Sequence, residues 1–352
     1  MLFLIPSMWA ADRYRERWLG VADRVAGTSA EALKFDWGEG VQLIGMMKAF
    51  ERTAKPAYAD YVEKFAAFHL KRDRADLLAV GAQRQNGFCG RWSPATAILY
   101  LYEARKNPAH MEFAMHVGEF IAATAERSKD GALGHWIGSH QLWVDTLYMA
   151  CPLQTRLGVL QKKPEWIRDA GRQIVLYAKP LQDPEAGLFY HMWDWQTGER
   201  TPALWGRGNG WVLMSIADVL ESLPKKDPLY GKLVTIAKEM MAGLKKTQDA
   251  EGMWHTVMDD AKSYPEASAT AMFVYGALKL MRLGALDSSQ REMILRGWKA
   301  LNEQYIRDGV VEGVSAGTMP NRTNYYKDLP RGTQTWGTGA YLMAGSEADR
   351  LK

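Results

Sequence analysis

Two kinds of linker alternate along this chain, and that alternation restricts its fold more than any other feature. Twelve segments carry apolar residues at three- and four-residue spacing, the pattern of amphipathic helices. They cover roughly 12–26, 38–52, 57–70, 93–106, 110–126, 141–157, 164–179, 208–222, 228–246, 266–283, 288–305 and 336–350. One set of connections is short ("TAKP", "KNPAH", "LPKKDP", "LGALDSS"). The other is long and rich in Gly, Trp, His and Arg, as in "SKDGALGHWIGSH" and "DPEAGLFYHMWDWQTGERTPALWGRG". Trp37, Trp92, Trp143, Trp205 and Trp336 stand close to where the helices after long linkers begin. Their average spacing of about 60 residues marks an internal repeat of helical hairpins. Helices after long linkers are rich in Gly and Ala ("GEGVQLIGMMKAF", "GTGAYLMAG"), which suits a crowded inner ring. The others are more charged ("ADRYRERWLGVADRV"), which suits a solvated outer ring. The expected fold is all-α: a closed (α/α)6 barrel of six hairpins, residues 1–352 forming a single domain. The six long linkers then gather at the N-terminal ends of the inner helices, where partial positive charge favours an anionic ligand.

Bulk properties exclude several functions. A net charge of +4 without a basic run offers no nucleic-acid surface. No apolar run reaches the roughly 18 residues of a membrane span. Cys89 and Cys151 lie far apart and are expected to be free thiols. No metal-ligand spacing such as HExxH occurs, so neither a metal nor another cofactor is expected. The N-terminal "MLFLIPSMWAAD" resembles the tail of a truncated signal peptide but lacks a basic start, which leaves cytoplasm and periplasm both open. The oligomeric state is open too; nothing in the sequence demands more than a monomer.

Within the long linkers, four stretches concentrate chemistry. "GHWIGSHQLWVDTLYMACP" contains His135, Trp143 and Asp145, the last expected about one turn inside an inner helix. "FYHMWDW" contains His191 and Trp193. "WGRGNGW" contains Trp205, Arg207 and Trp211, with glycines that allow close backbone approach and an arginine suited to an anion. "YPEASATAMF" places Glu266 at another inner-helix start. A carboxylate among Trp, Val, Leu, Tyr and Met must be paired, protonated or functional. From the residues alone, Asp145 could equally be a helix-buried group bonded to a neighbouring helix, with Arg207 as a structural partner. His69, His110 and His116 fall in outer-helix regions, whereas His135, His140, His191 and His255 fall in long linkers.

The motifs "WVDTLYM", "WGRGNGW", "EASATAMF" and "GTGAYLMA" resemble those of the unsaturated glycuronyl hydrolases. The likeness is strongest to the unsaturated rhamnogalacturonyl hydrolases of glycoside hydrolase family 105, with family 88 behind them. It spans most of the chain, from "FDWGEGVQLIG" to the last helix. It implies the same (α/α)6 barrel. It also implies removal of a 4,5-unsaturated uronic acid from the non-reducing end of lyase-made oligosaccharides, rhamnogalacturonan-type by family default. Asp145 matches the acid/base that protonates C4 of the enol ether, and its apolar surround is expected to raise its pKa. His191, Arg207 and Trp211 would line the uronate pocket, and Trp143, Trp205 and His135 would shape it. Trp37, Trp193 and Glu266 complete the expected binding set.

One departure stands out. The family usually carries a second Asp near the start of the second inner helix, but this chain reads "RQNGFCGRWSPATAILYLYE" there. Asn86, Arg91 or Ser93 is expected to occupy the place. The alternatives are a saturated β-glucuronidase or a polysaccharide lyase on the same barrel, or a non-catalytic sugar-binding protein. An ordinary glycosidase would need a second carboxylate across the cleft, for which Asp36, Asp194 and Glu266 are candidates.

Overall fold

A computed structural model describes residues 5–351, with side chains from Tyr14 onward. Residues 1–4, the start of the apolar N-terminal stretch, lie outside the described residues; from Ile5 the chain is helical. The helices are α1 (Ile5–Ala26), α2 (Trp37–Thr53), α3 (Pro56–His69), the short α4 (Arg74–Leu77), α5 (Ser93–Arg105), α6 (Pro108–Ala123) and α7 (Asp145–Leu160). They continue with α8 (Pro164–Leu181), α9 (Gly206–Leu220), α10 (Pro228–Thr247), α11 (Ala267–Arg282), α12 (Arg291–Gln304), the short α13 (Thr323–Lys327) and α14 (Thr335–Ala348).

The long helices form two concentric rings. Each of α2, α5, α7, α9, α11 and α14 packs on the next, and α14 returns to α2, so the inner ring closes. α1, α3, α6, α8, α10 and α12 pack against its outside. This is the (α/α)6 barrel that the alternating linkers predict. Inner helices are buried all round: all 15 residues of α9 are buried. Outer α8 buries one face, through Ile167, Ala170, Ile174, Tyr177 and Leu181, and turns Glu165, Arg168, Arg172 and Lys179 to solvent. Pro at the first turn starts α3, α6, α8 and α10, where its missing N–H costs nothing. Small residues close the ring: a Cβ on Gly45 would lie 2.7 Å from the Gly339 carbonyl oxygen across the α2–α14 seam.

The twelve helices fall close to their predicted places, with one consequential difference. Residues 141–143, read as helix, form strand β1 (Gln141–Trp143), paired antiparallel with β2 (Met192–Asp194). Two smaller two-residue ladders follow, β3 (Ile306–Arg307) with β4 (Val310–Val311) and β5 (Val314–Ser315) with β6 (Arg331–Gly332). Strands of two or three residues leave no periodic signal in the sequence, and the partners of β1 and β5 are distant as well.

Candidate active site

Because β1 intervenes, Asp145 is the first residue of α7 rather than one turn inside it. The ladder also fixes what Asp145 meets. Trp143 pairs with Met192, and the Val144 N–H donates to the His191 carbonyl (3.1 Å), so His191 arrives beside the helix start. Its Nε2 lies 3.1 Å from Asp145 Oδ2. Its Nδ1 lies 2.9 Å from the Tyr326 hydroxyl, which itself accepts from the Asn321 N–H at 3.2 Å. The network therefore assigns the imidazole proton to Nε2, donated to the carboxylate.

Asp145 opens into a cavity of about 370 Å³ at the inner-helix N-terminal end. Its side chain keeps 18% exposure and lines this space. Trp143 and His135 lie beside it, their rings stacked 4.0 Å apart. Asp36 and Trp37 enter from the start of α2, and Phe88, Cys89 and Gly90 from the turn before α5. Trp205 and Arg207 come from the start of α9, and Gly317, Thr318 and Met319 from the linker before α14. Aromatic faces beside a few fixed polar groups are the usual build of a sugar pocket.

The electrostatics correct one expectation. Burial pushes the Asp145 carboxyl up, as its apolar neighbours suggest. The hydrogen bond from His191, with the Arg207 cation behind and any protonation of His191 or His135 adding to it, outweighs burial and holds Asp145 below the usual carboxylate range. Burial holds His191 below the ordinary imidazole value against the pull of Asp145, so the pair rests as neutral imidazole and carboxylate. Burial brings His135 down to about 3, so it too is neutral.

Arg207 is fully buried with its guanidinium at the cavity wall. Nη1 donates to Ser315 O (3.0 Å) and Oγ (2.6 Å), and Nη2 to Ala316 O (2.8 Å) and Thr318 Oγ1 (2.6 Å). Four of its five N–H groups therefore hold the last long linker, and buried Nε–H has no partner among the described residues.

A family model described as Glycosyl Hydrolase Family 88 matches residues 10–352. The chain belongs to family 88. Within reach of that family, it is 28% identical over 337 residues to the unsaturated rhamnogalacturonyl hydrolase YesR of Bacillus subtilis, covering 93% of each chain. It is 30% identical over 223 residues to an unsaturated 3S-rhamnoglycuronyl hydrolase of Alteromonas sp., covering 60% of this chain and 53% of the other. Its fold superposes, with TM-score 0.86 and 25% identity, on a possible member of the GH105 family from Salmonella enterica, over 100% of this chain and 96% of that one. Family 88 membership makes it a glycoside hydrolase.

Against that background the structure sorts the expected binding residues. Trp37, His135, Trp143, Trp205 and Arg207 line the cavity with Asp145. His191 does not; it stands behind Asp145, its ring 4.1 Å from that of Trp205. Trp211 is buried under Trp37 (6.4 Å, edge to face) and stacked on Tyr148, because the α9 start turns it into the ring interior. Trp193 pairs with Leu142 in the β-ladder, away from the cavity wall. Glu266 caps α11, taking the Ala269 N–H (2.7 Å) and the Ser315 N–H (2.9 Å), and lies 3.8 Å from Arg207. It satisfies that helix end itself, so it supports Arg207 instead of meeting a ligand. Of the remaining linker histidines, His140 pairs with Glu126 and His255 with Asp249, each at 3.0 Å.

The unusual linker is also rearranged. Asn86, expected at the pocket, folds back to accept the Gly81 N–H at 2.8 Å. Arg91 donates to the Phe35 carbonyl, and Ser93 is buried against α2. Cys89 faces the cavity in their place, its Sγ 3.2 Å from His135 Nδ1, with burial pushing the thiol well up so that it stays un-ionised. A second cavity carboxylate does exist: Asp36, whose Oδ1 caps α2 through the Trp37 N–H at 2.8 Å. Cys89 and Cys151 are both free. Besides Phe88, Cys89 and Met149 at the cavity wall, Thr318 and Tyr326 were missed from the sequence. Both sit in the 30-residue linker before α14, where only Gly-rich composition was visible.

Proposed function

We propose that this chain removes a 4,5-unsaturated uronic acid from the non-reducing end of lyase-generated oligosaccharides, with Asp145 as proton donor. The observation that carries this reading is a carboxylate at the floor of an aromatic cavity, hydrogen-bonded to a buried neutral histidine, in a family 88 barrel. The relatives named unsaturated rhamnogalacturonyl hydrolase and unsaturated 3S-rhamnoglycuronyl hydrolase support it.

The chemistry asks for one proton and one water. Protonated Asp145 gives its proton to C4, the C4=C5 electrons form the new C–H bond, and positive charge develops at C5 and the ring oxygen. Water adds at C5 and returns a proton to the Asp145 carboxylate. The resulting C5 hemiketal opens to a ketone, which leaves a C1 hemiacetal that expels the next sugar. A vinyl carbon is a weak base, so the acid must be fixed and poorly hydrated. The Trp143 and His135 wall beside Asp145 supplies that. Arg207 and the start of α9 give the cavity the positive field an uronate needs.

Asp36 keeps one competitor in play, an ordinary two-carboxylate glycosidase. The substrate panel decides. The enzyme is expected to bleach the ultraviolet absorbance of unsaturated disaccharides ending in rhamnose and to leave saturated glucuronides intact. Cleavage of the saturated compounds alone would establish the competitor. Asp145→Asn is expected to cut turnover at least about 10²-fold with folding and ligand binding retained. An Asn variant keeping more than a tenth of the rate would remove Asp145 from the role.

A further inference from the structure

We propose that Tyr326 is a positioning residue of this reaction: its hydroxyl holds the His191 ring so that Nε2–H faces Asp145, and thereby governs when Asp145 carries the catalytic proton. The inference rests on Asp145 being the acid, and its test separates the two.

The chain of contacts is continuous. Tyr326 lies in α13, within the linker between β5 and β6, and is fully buried. Its hydroxyl accepts the Asn321 N–H, which leaves its proton for His191 Nδ1 at 2.9 Å. A neutral imidazole has one acceptor nitrogen and one N–H. With Nδ1 accepting, Nε2 must donate, and Asp145 Oδ2 stands 3.1 Å from it. The Trp205 ring at 4.1 Å and the Trp143 ring at 5.7 Å pack against the imidazole, and its two ring nitrogens bond Tyr326 and Asp145.

Tyr326 stands in the linker that Arg207 clamps, and the linker before α11 holds it there. The Tyr264 hydroxyl donates to the Tyr326 carbonyl at 3.0 Å, and Lys327 pairs with Asp260 at 3.0 Å. A linker distant in sequence therefore contributes two groups to one site: Thr318 at the cavity wall and Tyr326 behind the acid.

The direction of the effect follows from the proton inventory. An Nε2–H donor favours the Asp145 carboxylate. Without the tyrosine hydroxyl, Nδ1 is free to take the proton. Nε2 then presents a lone pair, which favours protonated Asp145. The other groups facing this pair are Arg207 and His135, un-ionised Cys89, Asp36 across the cavity, Glu266 behind Arg207, and Thr201 and Tyr325 beside Tyr326. Tyr326→Phe changes none of their charges.

The test compares wild type, Tyr326→Phe and Asp145→Asn on one unsaturated disaccharide across pH, alongside ¹⁵N chemical shifts of His191. Wild-type His191 is expected to be neutral with its proton on Nε2. Tyr326→Phe is expected to lower kcat about tenfold with KM little changed. Its alkaline limb should move upward by about half to one pH unit, the worth of one hydrogen bond. A merely structural tyrosine would lower stability or the folded fraction without moving the limb. An unmoved limb in a folded variant overturns the proposal, as does a wild-type His191 protonated or carrying its proton on Nδ1. That ¹⁵N result decides even if the variant fails to fold. An active Asp145→Asn enzyme would instead overturn the role of the acid.

Discussion

For the proton-donor role proposed for it, Asp145 rests in the wrong protonation state. Its pairing with His191 keeps it ionised in the free enzyme, yet protonating C4 needs the acid form. The sign of the pH dependence follows. Because the free-enzyme pKa is depressed, kcat/KM is expected to fall about tenfold per pH unit as pH rises between 5 and 8. Bound substrate changes the balance: it displaces water from the carboxyl and brings a second anion, and both favour the protonated form. The limb in kcat should therefore lie at higher pH than the limb in kcat/KM. Parallel initial-rate and saturating-rate profiles check this, and coincident limbs would show that binding leaves Asp145 unchanged. Arg207 makes a related point. An arginine expected only as an anion clamp spends four N–H groups on the 315–318 backbone and side chains, so its positive charge, more than its hydrogen bonds, is what remains for a ligand.

At the level of elements, site and scaffold use different devices. The site depends on a three-residue ladder, β1 with β2, whose register sets His191 beside Asp145. The scaffold depends on inner helices that approach backbone to backbone. The α2–α14 seam is the tightest case. A Cβ on Gly339 would fall on the Val41 carbonyl and 2.6 Å from the Gln42 nitrogen, atoms that cannot swing aside like a side chain. Gly339→Ala is expected to lower unfolding free energy by about 1–3 kcal/mol or more through overpacking, despite the better helix propensity of Ala. A urea titration reads this directly. Trp37 caps the same seam, its ring 4.4 Å from that of Trp336, so the variant should also loosen one cavity wall and raise KM.

Across the whole molecule, the two ends of the barrel carry different burdens. The N-terminal end of the inner ring holds the cavity. The other end holds a buried ion cluster: Lys279 Nζ reaches Asp218 at 2.7 Å and Glu221 at 2.8 Å, with the Tyr275 hydroxyl also on Asp218. Asp218 stands eleven residues beyond Arg207 on α9, about 16 Å along the helix axis. Lys279→Met should strand a buried carboxylate and cost about 3–5 kcal/mol of stability. The fraction still folded at 25 °C should keep wild-type kcat and KM. Thermal denaturation with activity normalised to folded protein checks both halves, and a changed KM in folded enzyme would show that the two ends are coupled.

The sequence by itself determined the barrel, because a 3.6-residue apolar period repeated twelve times and two alternating linker types are local and redundant signals. It also pointed to Asp145, Arg207, Trp143, Trp205, Trp37 and His135, since motif residues next to inner-helix starts must reach the same end of a closed ring. Tertiary structure decided the rest. Trp211, Trp193 and Glu266 sit in the same motifs, but helix phase, ladder register and capping turn them away from the cavity. Cys89 rather than Asn86 faces the pocket because Asn86 closes its own turn. Asp36 shares the space from a different helix, and Tyr326 reaches His191 across 135 residues. The protonation of Asp145 turned on the same cause: burial is legible in apolar neighbours, but the histidine that outweighs it arrives through a strand pairing that no local pattern encodes.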